Sequence, residues 1–105
     1  MSFAVLYQWK VDPDRIADFR LAWRELTKGF IEECGGMGSR LHHTKDGWWA
    51  AYARWPDEES RDKARLSEAY VDASTVMKEV VLERRPEITM IITDDLLTQT
   101  HHGVE

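Results

Sequence analysis

The sequence predicts a single α+β domain, a ferredoxin-like plait with the element order strand–helix–strand–strand–helix–strand. Three observations predict it. Residues 3–11 and 48–55 carry aromatic and aliphatic side chains with a period of two, which is the signature of a strand. Apolar residues recur at spacings of three and four from Ile16 to Phe30, which is the signature of a helix. Asp46-Gly47, set between residues 39–45 and 48–55, is a tight-turn pair that makes those two segments a hairpin.

The first strand places Phe3, Val5, Tyr7, Trp9 and Val11 on one face and Ala4, Leu6, Gln8 and Lys10 on the other. Asp12-Pro13 ends it and opens a helix, with Asp12 expected to cap and Pro13 suited to the first helical position. Ile16, Phe19, Trp23, Leu26 and Phe30 form the buried stripe of that helix, which is expected to run to about Glu33. Gly35-Gly36, with Gly38 close behind, stops it. Residues 39–45 form the second strand and residues 48–55 the third. Pro56-Asp57 then starts a helical region expected to reach Arg85, with a break near Ser67 and a buried stripe of Ala69, Ala73, Val76, Met77 and Val80. Pro86 ends it. The fourth strand covers residues 88–93, with an extension to Leu97 conceivable, and residues 98–105 are a polar tail. One domain therefore spans residues 1–105, with its core over residues 3–97.

Composition narrows the function. Hydrophobic residues make up 43% and charged residues 31%, the balance of a folded globular chain. No apolar run approaches the ~20 residues of a membrane helix, and residues 1–5 lack the basic start of a secretory signal, so neither membrane nor secretion is expected. Cys34 is the only cysteine, which excludes an intramolecular disulfide and suits the cytoplasm. A net charge of −5 argues against a nucleic-acid partner. Every strand offers apolar residues on both sides, and one sheet face in a plait is left without helices. A homodimer with sheets packed face to face is the expected cover.

The segments Phe3 to Val11, Phe19 with Ala22-Trp23-Arg24, Gly38-Ser39-Arg40-Leu41-His42, Asp46-Gly47-Trp48 and Ala51-Tyr52-Ala53-Arg54-Trp55-Pro56 resemble the antibiotic biosynthesis monooxygenase superfamily. The resemblance spans roughly residues 3–97. It implies a plait that dimerises into an α+β barrel, with a pocket in each subunit between sheet and helices. It implies activities that range from oxidation of polycyclic phenols without metal or flavin to haem cleavage and quinone chemistry. The haem-cleaving members use an Asn, a Trp and a His. This sequence has no asparagine, and its histidines stand at 42, 43, 101 and 102, so haem cleavage is not expected.

Trp48, Tyr52 and Arg54 share one face of the third strand, and Trp55 begins the other. An aromatic pocket with one phenol and one guanidinium suits a planar phenolic or quinone-type substrate, with Arg54 stabilising a phenolate or enolate. Tyr52 and Arg54 are the catalytic candidates. Trp48, Trp55, Tyr7, Trp9 and His42 are the substrate-binding candidates. For each of them core or interface packing is the competing assignment, and Trp23 on the helix stripe is assigned to packing. His42 and His43 point to opposite faces and cannot chelate one metal as a pair, and no other spacing marks a metal site. Cys34 has no base beside it in sequence and is read as inert. The expectation is a small-aromatic monooxygenase that needs no cofactor. The alternatives are a non-catalytic or stress-related homodimer that holds a hydrophobic ligand, and a structural dimer with a filled barrel.

Overall fold

The computed structural model describes residues 2–98, the side chains of Glu68 and Ala69 excepted. The tail residues 99–105, with His101 and His102, lie outside the described residues. The elements are β1 (Phe3–Val11), α1 (Ile16–Cys34), β2 (Ser39–His43), β3 (Trp49–Trp55), α2 (Glu58–Ala64), α3 (Glu68–Val80), β4 (Val81–Arg84) and β5 (Ile88–Ile91). The sheet is antiparallel in the order β2-β3-β1-β4, with β5 also on β1. This is the strand order of the ferredoxin-like plait, with its last strand in two pieces.

The odd residues of β1 and β3 face the helices. Register pairs Phe3 with Trp55, Val5 with Ala53, Tyr7 with Ala51 and Trp9 with Trp49. Against this face Phe19 of α1 sits between Trp9 and Trp49, at 5.5 and 5.6 Å between ring centroids. Trp9, Val11, Phe19, Ala22, Met77 and Val80 make one buried cluster, and Phe3, Val5, Trp55 and Ala64 a second. The even residues, Ala4, Leu6, Ala50, Tyr52 and Arg54, face away from the helices.

Four boundaries differ from the sequence expectation. Asp12 does not cap α1: its carboxylate accepts the Asp14 backbone N–H at 2.9 Å within the preceding turn, and Arg15 stands at the N-cap position without a side-chain cap bond. The helical region stops at Val80, and residues 81–84 pair with β1 instead. Val81 and Leu82 suit either state, and pairing with an open strand edge decides it. The second strand ends at His43, because Thr44 turns the chain: its N–H donates to the Trp48 carbonyl at 2.8 Å. The last strand ends at Ile91. The break at Ser67 is present, and the Ser67 hydroxyl accepts the Tyr70 N–H at the start of α3.

β4 and β5 form one interrupted edge. Trp9 pairs with Arg84 and Leu6 with Ile88, so residues 85–87 stand opposite only Tyr7 and Gln8. The extra residue makes a bulge, and Pro86 sits there because a bulged edge tolerates a missing N–H. The bulge puts Glu87 beside α2.

Candidate functional site

A cavity of about 370 Å³ lies between the helix-facing side of the sheet and the three helices. Its origin is legible in β3. The helix-facing side of that strand runs Trp49, Ala51, Ala53, Trp55, two large rings separated by two methyl groups. Ala51 and Ala53 both line the cavity. Tyr7 and Trp9 of β1 stand over them, stacked at 5.8 Å. Helix α1 contributes Trp23, Leu26 and Phe30, and α3 contributes Tyr70, Ser74 and Met77. Phe30 lies 5.3 Å from Trp55 and 6.5 Å from Tyr70, centroid to centroid. The walls are therefore aromatic on three sides, with a volume that suits a small ring system.

Polar groups gather at one side. Arg61 and Arg65 of α2 line the cavity with Glu87, Lys78 and Arg84. Glu87 accepts from both Arg61 and Arg65, the latter through two contacts of 2.7 and 2.8 Å. The Arg61 side chain is only 8% exposed. Among the described residues, four buried side-chain polar atoms lack a hydrogen-bond partner: Ser39 Oγ, Arg54 Nε, Trp55 Nε1 and Arg61 Nε. All four belong to residues that line this cavity. Buried polar atoms are normally satisfied, and these four stand out in residues around one cavity.

The placement of the sequence candidates is mixed. Tyr7, Trp9 and Trp55 line the cavity, and Arg54 borders it. The Arg54 guanidinium is turned toward Asp95, 3.5 Å away, beyond β5. Trp48, Tyr52 and His42 do not line it. Tyr52 pairs with Leu6 and Arg40 on the open side of the sheet, so its phenol is separated from the cavity by the sheet itself. His42 is on that same side, with Nδ1 3.2 Å from the Ala50 carbonyl oxygen. Trp48 precedes β3 and lies under the Arg85 guanidinium, 3.9 Å from its ring centroid. Trp23, assigned to packing from the sequence, lines the cavity instead. The sequence reading missed Arg61, Arg65, Glu87 and Tyr70. Arg61 and Glu87 are far apart in the chain, and only the bulge after β4 brings them together.

Among the described residues no cluster of His, Cys, Asp or Glu could hold a metal ion, and no helix is long and apolar enough to cross a membrane.

Proteins of known structure share this fold. The protein Rv0793 from Mycobacterium tuberculosis matches with a TM-score of 0.78 at 17% identity, over 92% of this chain and 100% of that one. SnoaB from Streptomyces nogalater, a cofactor-independent oxygenase, matches with a TM-score of 0.76 at 14% identity, over 90% of this chain and 96% of that one. An antibiotic biosynthesis monooxygenase matches with a TM-score of 0.75 at 17% identity, over 88% and 99% of the two chains. No protein-family model matches the sequence, and no curated protein sequence matches it. The chain has the α+β ferredoxin-like fold of the antibiotic biosynthesis monooxygenases.

Proposed function

We propose that this protein is a cofactor-independent monooxygenase of a small aromatic, phenolic or quinone-type compound, bound in the cavity between sheet and helices. The observation that carries the proposal is the pairing of aromatic walls with the arginines of α2 in one cavity. Trp9, Tyr7, Phe30 and Trp55 hold the ring by stacking and edge contacts. The phenols of Tyr7 and Tyr70 are the hydroxyl groups best placed to take or return a proton, and they replace Tyr52 in that role. Arg54 lies on the same side of the sheet as Tyr52 and is paired with Asp95, so the role of stabilising negative charge on the substrate oxygen passes to Arg61 and Arg65 on the α2 side of the cavity. The substrate is its own reductant. An activated ring CH2 beside a phenol loses two hydrogens and gains one oxygen atom of O2 as a carbonyl, and the second oxygen atom leaves as water. The protein binds, deprotonates and excludes water. The like fold of SnoaB, a cofactor-independent oxygenase, supports the assignment.

One observation favours a second reading, a ligand-binding protein without catalysis. Among the described residues no histidine lines the cavity, and the one carboxylate that does, Glu87, is tied to two arginines. A homodimer accompanies either reading. The side of the sheet away from the helices exposes parts of Leu6, Tyr52, Ile88 and Met90, apolar surface that suits a second copy.

The test is oxygen uptake by metal-stripped protein with a panel of polycyclic phenols and hydroquinones. Uptake above the uncatalysed rate, with an oxygenated product, is expected. Stoichiometric binding with no uptake would replace the enzyme with the binding protein.

A further inference from the structure

We propose that the α2 side of the cavity is an anion subsite, and that the aromatic ligand it selects carries a carboxylate held by Arg61 and Arg65. This inference names the substrate class and rests on the aromatic cavity described above.

The charge distribution is the first support. The chain as a whole carries −5, yet among the described residues four cations, Arg61, Arg65, Lys78 and Arg84, line the helix side of the cavity against one carboxylate, Glu87. Lys78 and Arg84 form no ion pair among the described residues. Glu87 is shared by two guanidinium groups, and the other carboxylate that Arg61 meets, Asp62, is exposed and does not line the cavity, so the cavity side of the cluster keeps an excess of positive charge.

Burial is the second support. A guanidinium that is 8% exposed stands in a medium where uncompensated charge is costly. Arg61 reaches Glu87 and the exposed Asp62 through its terminal nitrogens, and its Nε is buried with no partner. The donor capacity open to a guest is that of Arg65, which is 47% exposed and bonds Glu87 through Nη2 alone. A carboxylate fits best, because its two oxygens match the planar fork of an arginine. The ring then lies over Ala51 and Ala53, in the aromatic part of the same cavity.

Glu87 follows as a built-in competitor. It occupies the same two arginines that the ligand carboxylate needs, so removing its charge should tighten anion binding. A purely structural ion pair predicts the opposite, because loss of Glu87 would loosen α2 and weaken every ligand.

The test is quenching of tryptophan fluorescence by 2-naphthoate and by its neutral methyl ester. The wild type is expected to bind naphthoate about tenfold more tightly than the ester, the value of one good charge-assisted hydrogen bond. Arg65→Gln should remove most of that preference and leave ester affinity unchanged. Glu87→Gln should increase the preference for naphthoate. Equal binding of the two probes by the wild type overturns the anion subsite and leaves the aromatic cavity standing. Binding of neither overturns both. Equal weakening of both probes in Glu87→Gln assigns the trio to structure and overturns the subsite.

Discussion

At the scale of single residues, the two alanines of β3 decide whether there is a cavity at all. Ala53 is on the helix-facing side of a central strand, yet it is only half-buried, because the cavity reaches it. Ala53→Leu adds three carbons into that space. It is expected to abolish binding of aromatic probes while leaving the urea midpoint unchanged or raised, since it fills a void instead of crowding a packed core. A fall in stability with binding intact would place the cavity elsewhere. Phe19 is the opposite case, with no exposure and a ring wedged between Trp9 and Trp49. Phe19→Ala is expected to cost about 3–5 kcal/mol in urea denaturation, the usual loss for a large buried aromatic. Tyr52→Phe should change neither turnover nor ligand affinity, because the sheet separates its hydroxyl from the cavity. A drop in oxygen uptake in that variant would return Tyr52 to the mechanism.

At the scale of elements, α2 matters most, because it is short and carries Arg61 and Arg65. Asp57 caps it, accepting the Ser60 backbone N–H at 2.8 Å, and that bond holds the carboxyl below its ordinary value of 3.8. A depressed carboxylate stabilises the fold fully above the unfolded value, and the contribution is lost as pH falls through the folded value. Stability should therefore decline as pH drops below about 4. Asp57→Asn, which caps without titrating, should flatten that part of the profile in thermal melts. An unchanged profile would remove Asp57 from the acid response. The elements also separate what the sequence discloses from what it hides. The alternation of β1, the stripe of α1, the Asp46-Gly47 turn and the break at Ser67 rest on neighbours in the chain, and all are legible there. The β4 edge is not, since Val81 follows Val80 without a breaker and only β1 turns it into a strand. The site divides the same way. A period of two groups Tyr52 with Arg54, and Trp55 with Ala53, but does not say which group meets the helices. That choice depends on α1 packing over Trp49 and Trp55, a contact between elements. The arginine–glutamate trio depends on a bulge on a distant strand, and no spacing in the sequence signals it.

At the scale of the whole molecule, the plait has one face covered by helices and one that is not. The uncovered face is not polar in the way a solvated face is. Its centre holds Ala4, Leu6 and Ala50, with Tyr52 across from Leu6, and Ile88 on the β5 edge is 48% exposed. Ala4 and Ala50 are already buried within the chain, so pairing with a second copy would bury Leu6, Tyr52 and Ile88 and would leave the cavity, on the opposite side of the sheet, free for ligand. That separation makes assembly and binding independently testable. Light scattering at micromolar concentration should give twice the chain mass of 12.3 kDa. Leu6→Lys places a charge at the centre of the proposed contact, where a like charge would meet it from the second copy, and should shift the mass to that of one chain. Because Leu6 faces away from α1 and α3, the same variant should keep its fold and its affinity for aromatic probes. A wild type that stays monomeric would remove the dimer. A Leu6→Lys variant that stays dimeric would show that the copies meet on some other surface, and the open side of the sheet would then need a different cover.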